Sequence, residues 1–229
     1  MIRAPRLRIT PSQRRILGEL AIVVTGVFIA LLAEQAVQSL NWQSQVREAR
    51  KALQAELAYN VGGYDIRVSQ SPCVARRLDE LQRWVDGWQD GSGRVLNGPI
   101  GRIYGFSMYD SVWNIVQGGQ VATHIPIADR LEYARMYDNL ENYSQMQEKE
   151  YAVWALLRGY EGARALDPGD IVQIKAALAQ ARLFDKVIRE NGPGYIWSSA
   201  ASLDIEPERP PLPGPADEMC RPLVLRASA

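Results

Sequence analysis

The sequence is short of the residues that most reaction centres need. One histidine and two cysteines stand among 229 residues, too few for a His-based or Cys-only metal site and for a disulfide-dense miniprotein. Net charge is missing as well: 26 basic side chains meet 26 acidic ones, without the basic excess of a whole-chain nucleic-acid binder. There is no P-loop, G-x-G-x-x-G, G-x-S-x-G or H-E-x-x-H, which removes the phosphate cradles, nucleophile elbows and zinc helices those spacings mark. Glycine and proline follow no collagen period, and a 47% hydrophobic content is too high for a disordered chain. A globular domain or a membrane protein remains, with no cofactor and no enzymatic activity indicated.

The zero net charge averages unlike parts. Residues 1–15 carry Arg3, Arg6, Arg8, Arg14 and Arg15 and no acid, leaving the other 214 residues with five acids in excess. Residues 16–33, ILGELAIVVTGVFIALLA, hold a single charge, Glu19. As a helix they would span roughly 27 Å, near the hydrocarbon thickness of a bilayer. Arginines on one side and none before Arg47 on the other put the N-terminus in the cytoplasm by the positive-inside rule. A soluble helix would show a polar stripe, and a cleaved signal peptide a shorter core and a small-x-small exit; the exit here reads Leu-Leu-Ala-Glu-Gln-Ala-Val. The expected organisation is a cytoplasmic basic stub over 1–15, a transmembrane helix over 16–37, a periplasmic helical bundle over 38–192 and an extended Pro-rich tail over 193–229.

No glycine or proline interrupts residues 34–59. One helix is therefore expected over about residues 12–60, with Ser12 as cap and a stop or kink at Gly62-Gly63 before helix resumes towards Ser69. Ser71-Pro72 should cap and open a second helix, with Val74, Leu78, Leu81, Val85 and Trp88 inward and Arg76, Arg77, Asp79 and Glu80 facing away. The glycines at 91, 93, 98, 101 and 105 mark a loop or short hairpin. A short helix is expected over about 109–117. A longer one follows over about 127–158 with Leu131, Ala134, Leu140, Tyr151 and Trp154 in the core. A fifth should open at Asp167-Pro168, bury Ile171, Ile174, Leu178, Ala181 and Val187, and stop at Asn191-Gly192-Pro193. Six of thirteen prolines fall in residues 207–222, too many for a helix or a central strand.

Few residues are placed to carry chemistry. Cys73 and Cys220 can form one intramolecular disulfide in an oxidising compartment, tying the second helix to the tail; free thiols or an intermolecular bridge are the alternatives. Glu19 lies one turn inside the apolar segment, on a helix face that continues through Ile22, Gly26, Ala30 and Ala33. Small residues there allow close approach of another helix, and an intramembrane carboxyl is costly enough to suggest a role. The plain reading is that Glu19 snorkels to the headgroups beside Arg14 and Arg15. His124 reads as a loop residue before Pro126, and Trp42 as an interfacial anchor. Trp84, Trp88, Trp113, Trp154 and Trp197, with Tyr133, Tyr137 and Tyr143, read as bundle core, a ligand cleft being the alternative.

The run Leu17-Gly-Glu-Leu-Ala-Ile-Val-Val-Thr-Gly-Val-Phe-Ile-Ala-Leu with Asn41-Trp42 resembles a large group of bacterial single-pass membrane proteins that carries a domain-of-unknown-function label. Trp113 before Gly118-Gly119, and the long Tyr-bearing helix after it, are also similar. The resemblance implies a topology and a helical external domain but no activity. The fold class is thus expected to be all-α. The function expected is that of a non-enzymatic scaffold or accessory subunit in the inner membrane, contacting the lipid bilayer and self-associating or joining a larger membrane complex, with no nucleic acid. The alternative is a periplasmic ligand-sensing bundle, which would signal through a partner because fifteen cytoplasmic residues cannot hold an output domain.

Overall fold

The computed structural model describes residues 11–209 and 218–227. Most of the basic stub and the Pro-rich stretch 210–217 lie outside them. The described residues are 77% helix and 2% strand, and the chain divides into two compact units, Met1–Glu48 and Ala49–Ala229.

Helix α1 (Pro11–Ser69) supplies the described part of the first unit and continues into the second. In the second unit it is followed by α2 (Ser71–Gln89), strand β1 (Arg94–Leu96), α3 (Ser111–Gly118), α4 (Ile127–Arg158), α5 (Pro168–Gly192), a π-helical turn (Pro193–Trp197), α6 (Ser198–Ser202), a 3-10 turn (Glu218–Cys220) and strand β2 (Leu225–Ala227). The predicted helices are present, and α4 keeps the predicted limits. The core is built from the apolar stripes expected of α2 and α5: Val74, Leu78, Leu81 and Val85 pack with Ile171, Ile174, Leu178 and Ala181 around Trp154.

Gly62-Gly63 does not stop α1. An added Cβ at Gly62 would overlap the Glu208 backbone carbonyl, and one at Gly63 would overlap the Phe106 ring. The glycines serve close approach, not termination: residues 203–208 run along α1, with Gln54 Nε2 donating to the Leu203 carbonyl (3.3 Å) and the Glu208 amide to the Ala58 carbonyl (2.9 Å). Gly→Ala inside a helix ordinarily gains up to about 1 kcal/mol. Gly62→Ala should instead lose about 1–3 kcal/mol by overpacking, read as a lower urea midpoint. A rise in the midpoint would show that this strap does not lie against α1.

Ser71 is the first residue of α2 rather than its cap. Gln70 keeps helical dihedrals, and its carbonyl accepts from the Cys73 and Val74 amides, so a single residue separates α2 from α1 and no orphan turn is left to cap. Nor do Arg77 and Glu80 face away. Arg77 is 1% exposed and donates to the Pro99, Ile100 and Arg221 carbonyls and to Glu80 Oε2. It sits in phase with Val74, Leu78 and Leu81 and satisfies carbonyls of the loop and tail that would otherwise be buried unpaired.

Leu131, expected in the core, is 57% exposed; the buried stripe of α4 runs through Tyr133, Met136, Tyr137, Leu140, Tyr143, Gln147, Glu150 and Trp154. Val187 is only half-buried, with Asp185 and Ile188 on the inward face. Asn191-Gly192-Pro193 does not end the helical path either. Pro193 has no N–H to donate, and the chain passes through a π turn into α6. Residues 193–202, expected in the extended tail, are therefore helical. The loop at 91–106 forms no hairpin: β1 pairs antiparallel with β2, Val95 opposite Arg226, so its strand partner comes from the C-terminus.

Candidate functional site

In the first unit every large apolar side chain between Ile16 and Leu40 is 44–74% exposed. The helix is long and apolar enough to cross a membrane, with its most apolar window entirely unburied. Arg15 Nε donates to Glu19 Oε1 at 3.2 Å across one helical turn, so the structure brings Glu19 to an arginine. A Cβ added at Gly26 would meet nothing within 4 Å, and Ala30 and Ala33 are exposed. The small-residue face is open in the single chain.

In the second unit the sulfurs of Cys73 and Cys220 lie 1.96 Å apart, at disulfide distance. The segment around Cys220 is held along its length. Met219 is 1% exposed among the core residues, and Arg76 donates to the Cys220 carbonyl. The Leu223 amide donates to Glu80 Oε2 (3.1 Å) and the Asn97 amide to the Val224 carbonyl (2.8 Å).

A buried charge cluster joins three helices. Arg67 on α1 meets both oxygens of Glu150 on α4, Nη2 to Oε1 at 2.5 Å and Nε to Oε2 at 3.1 Å. Its Nη2 also donates to Asp185 Oδ1 on α5 (3.1 Å), and Nη1 to Ser71 Oγ (3.3 Å). The three charged side chains are 0–7% exposed. Burial opposes the guanidinium charge most, but the bonds to Glu150 and the charges of Glu150 and Asp185 together outweigh it and hold Arg67 above its ordinary pKa. Burial raises the neighbouring phenols, Tyr151 to about 12 and Tyr143 well above its usual value. Tyr143 packs edge-on to Tyr64 (5.1 Å), and its hydroxyl has no hydrogen-bond partner among the described residues. With its charged members closed to solvent, this cluster is a lock between helices and not a substrate site.

An accessible cleft of about 470 Å³ lies where α3 and the residues before it face α4. Its aromatic wall is Trp113 stacked on Tyr137, centroids 5.2 Å apart and planes 11° from parallel, with Tyr109 beside them. Two residues of α1 hold that wall in place. Glu56 accepts from the Tyr137 hydroxyl (2.6 Å) and from the Val112 (2.9 Å) and Trp113 (3.4 Å) amides, satisfying the first turn of α3. Asn60, fully buried, brackets Tyr109 by accepting from its amide (3.0 Å) and donating to its carbonyl (2.7 Å). Burial, and then the bond to Glu56, push the Tyr137 phenol far up, so it remains a donor at any physiological pH. Asp110, Asp138 and Glu141 also line the cleft, and no Lys or Arg does.

The expected aromatics therefore divide. Trp84, Trp154, Tyr133 and Tyr143 are core; Trp113 and Tyr137 form a cleft; Trp197 donates to Asp65 at 2.6 Å. His124 ends an exposed turn. No group of three or more His, Cys, Asp or Glu arranged to hold a metal occurs among the described residues. The sequence reading missed Glu56, Asn60, Arg67, Glu150 and Asp185. The signal for most of them was phase: Asn60 and Arg67 continue the three- and four-residue steps of Leu53, Leu57 and Tyr64, and Glu150 continues those of Tyr143 and Gln147.

Compared with family models, curated proteins and solved structures, the chain matches none.

Proposed function

We propose that the protein is a single-pass inner-membrane protein with its N-terminus in the cytoplasm and its bundle in the periplasm, acting as a non-enzymatic scaffold or accessory subunit. The observation that carries this is the helix surface over residues 16–33, apolar but for Glu19 and Thr25 and exposed throughout, which water would not tolerate and a bilayer would cover. The arginines preceding it set the orientation. Cysteines at bonding distance suit an oxidising compartment, and the likeness of residues 17–42 to the bacterial single-pass group points the same way. Gly26, Ala30 and Ala33 form the face on which a second membrane helix, from another copy or another protein, packs, with Glu19 near its cytoplasmic end.

The test is purification of the full chain from native membranes in mild detergent, beside a Gly26→Leu/Ala30→Leu variant. The wild type should run as a defined oligomer or with a stoichiometric partner, and the variant should lose that association while inserting normally. Wild type alone at the mass of one chain would remove the scaffold reading. Glu19→Leu with unchanged association would remove Glu19 from the contact.

One observation favours a second reading, a ligand-sensing bundle: the α3–α4 cleft has the volume of a small-molecule site and a stacked aromatic wall. On this reading the occupied cleft signals through the membrane partner.

A further inference from the structure

We infer that the α3–α4 cleft binds a small organic ammonium ion, held between the Trp113–Tyr137–Tyr109 wall and the carboxylates of Asp110, Asp138 and Glu141. This rests on the ligand-sensing reading and gives its ligand a chemical class.

Three features select that class. The first is uncompensated charge. Asp110 and Asp138 have neither ion pair nor side-chain hydrogen bond among the described residues, and Glu141 accepts only from the neutral amide of Gln145 among them. The amides at the start of α3 are already answered by Glu56, so Asp110 is not needed as their cap. With no cation in the lining, the cleft concentrates positive ligands. The second is its aromatic surface, which attracts a cation through the ring quadrupole and covers an alkyl body. Tyr109 is 49% exposed and packs against Tyr59 at 5.2 Å. The third is the spread of the carboxylates. A bare metal ion needs oxygens converging within a single coordination sphere, and no such group of three occurs among the described residues. Diffuse negative charge around an apolar wall suits a larger ion whose charge is itself spread over carbon.

The wall is preformed. Asn60 and Glu56 fix Tyr109, Tyr137 and the start of α3 by four bonds of 2.6–3.0 Å and one of 3.4 Å, so little ordering is left for the ligand to drive. A soluble ammonium ion is favoured over a zwitterionic headgroup because the acidic rim would repel an adjoining phosphate.

Isothermal titration of the full chain in a non-ionic detergent tests this, with choline and putrescine as cations and phosphocholine, acetate and glycerol as comparisons. Choline or putrescine should bind at one site per chain and weaken as salt is raised. Phosphocholine should bind at least about tenfold more weakly than choline, and acetate not at all. Asp110→Asn/Asp138→Asn, both at exposed positions, should keep the helical circular dichroism and lower cation affinity at least about tenfold. Trp113→Leu should do the same without changing the salt dependence. No cation binding up to about 10 mM, or equal affinity in the Asp110→Asn/Asp138→Asn variant, overturns the proposal. Binding of glycerol or acetate that Trp113→Leu abolishes would overturn the ammonium class and leave the sensing reading standing. Silence from every probe would sink both.

Discussion

Replacing Arg67 with methionine should cost the fold about 3–5 kcal/mol, because it strands Glu150 and Asp185 as buried carboxylates without a counter-charge. Against a total stability of about 5–15 kcal/mol, a loss of that size leaves the bundle marginal at room temperature. The argument depends on asymmetry. An intact buried ion cluster contributes little net stability, since removing its charges from water offsets most of their attraction; a broken one leaves the desolvation cost unanswered. Replacing all three residues with apolar ones, Arg67→Met/Glu150→Leu/Asp185→Leu, should therefore recover most of the loss. Arg67→Lys should fall between, since an ammonium cannot reproduce the fork that reaches Glu150, Asp185 and Ser71 together. Urea unfolding followed by circular dichroism measures all four proteins. An Arg67→Met variant within about 1 kcal/mol of wild type would mean that water reaches these carboxylates; a triple variant no better than the single one would mean that the polar contacts to Ser71 dominate.

That cluster also marks the limit of what the sequence made legible. Periodicity worked where a helix buries an apolar face by itself: α2 buries its stripe from Val74 to Val85 and α5 its stripe from Ile171 to Ala181, and Pro72 and Pro168 stand where helices begin. It failed where one segment exists for the sake of another. Gly62-Gly63 reads as a stop only if Glu208 and Phe106 are invisible, and both are more than 40 residues away in sequence. Arg77 reads as solvated until the loop carbonyls at Pro99 and Ile100 and the tail carbonyl at Arg221 are in place. The β ribbon is illegible for the same reason, three residues at 94–96 meeting three at the C-terminus. The apolar segment with Glu19 needed no tertiary context, because length and composition alone make it fit to cross a membrane. The cleft was only half visible: Trp113 and Tyr137 stood among candidate aromatics, but nothing local shows that Glu56 and Asn60 on α1 align them.

The second large effect concerns the C-terminal segment. Cys73 and Cys220, 147 residues apart, close a loop whose entropy in the unfolded chain is worth about 5 kcal/mol in the chain-entropy model. Cys73→Ser/Cys220→Ser should lose that much only if residues 218–227 stay docked without the bond. Their remaining hold is Met219, the three-residue ribbon, the bonds that Arg76 and Arg77 donate and the one that Glu80 accepts from the Leu223 amide, a small contact set on a chain end. Local release is thus the cheaper response. The global unfolding loss should come out nearer about 2–4 kcal/mol, with the segment opening below the global transition. A Glu-specific protease separates the two routes, since Glu218 lies in the turn that carries Met219 into the core. Cleavage after Glu218 should run at least about tenfold faster in the double-serine variant than in the oxidised protein, at denaturant concentrations that leave α2 and α5 folded. Cleavage at equal rates, or two titratable thiols in the unreduced full chain, would show that the bond does not hold this segment. Release would also take from the Arg77 guanidinium one of its three carbonyl acceptors and withdraw Met219, Leu223 and Leu225 from the core they pack against, so the reduced protein should aggregate more readily than the oxidised one.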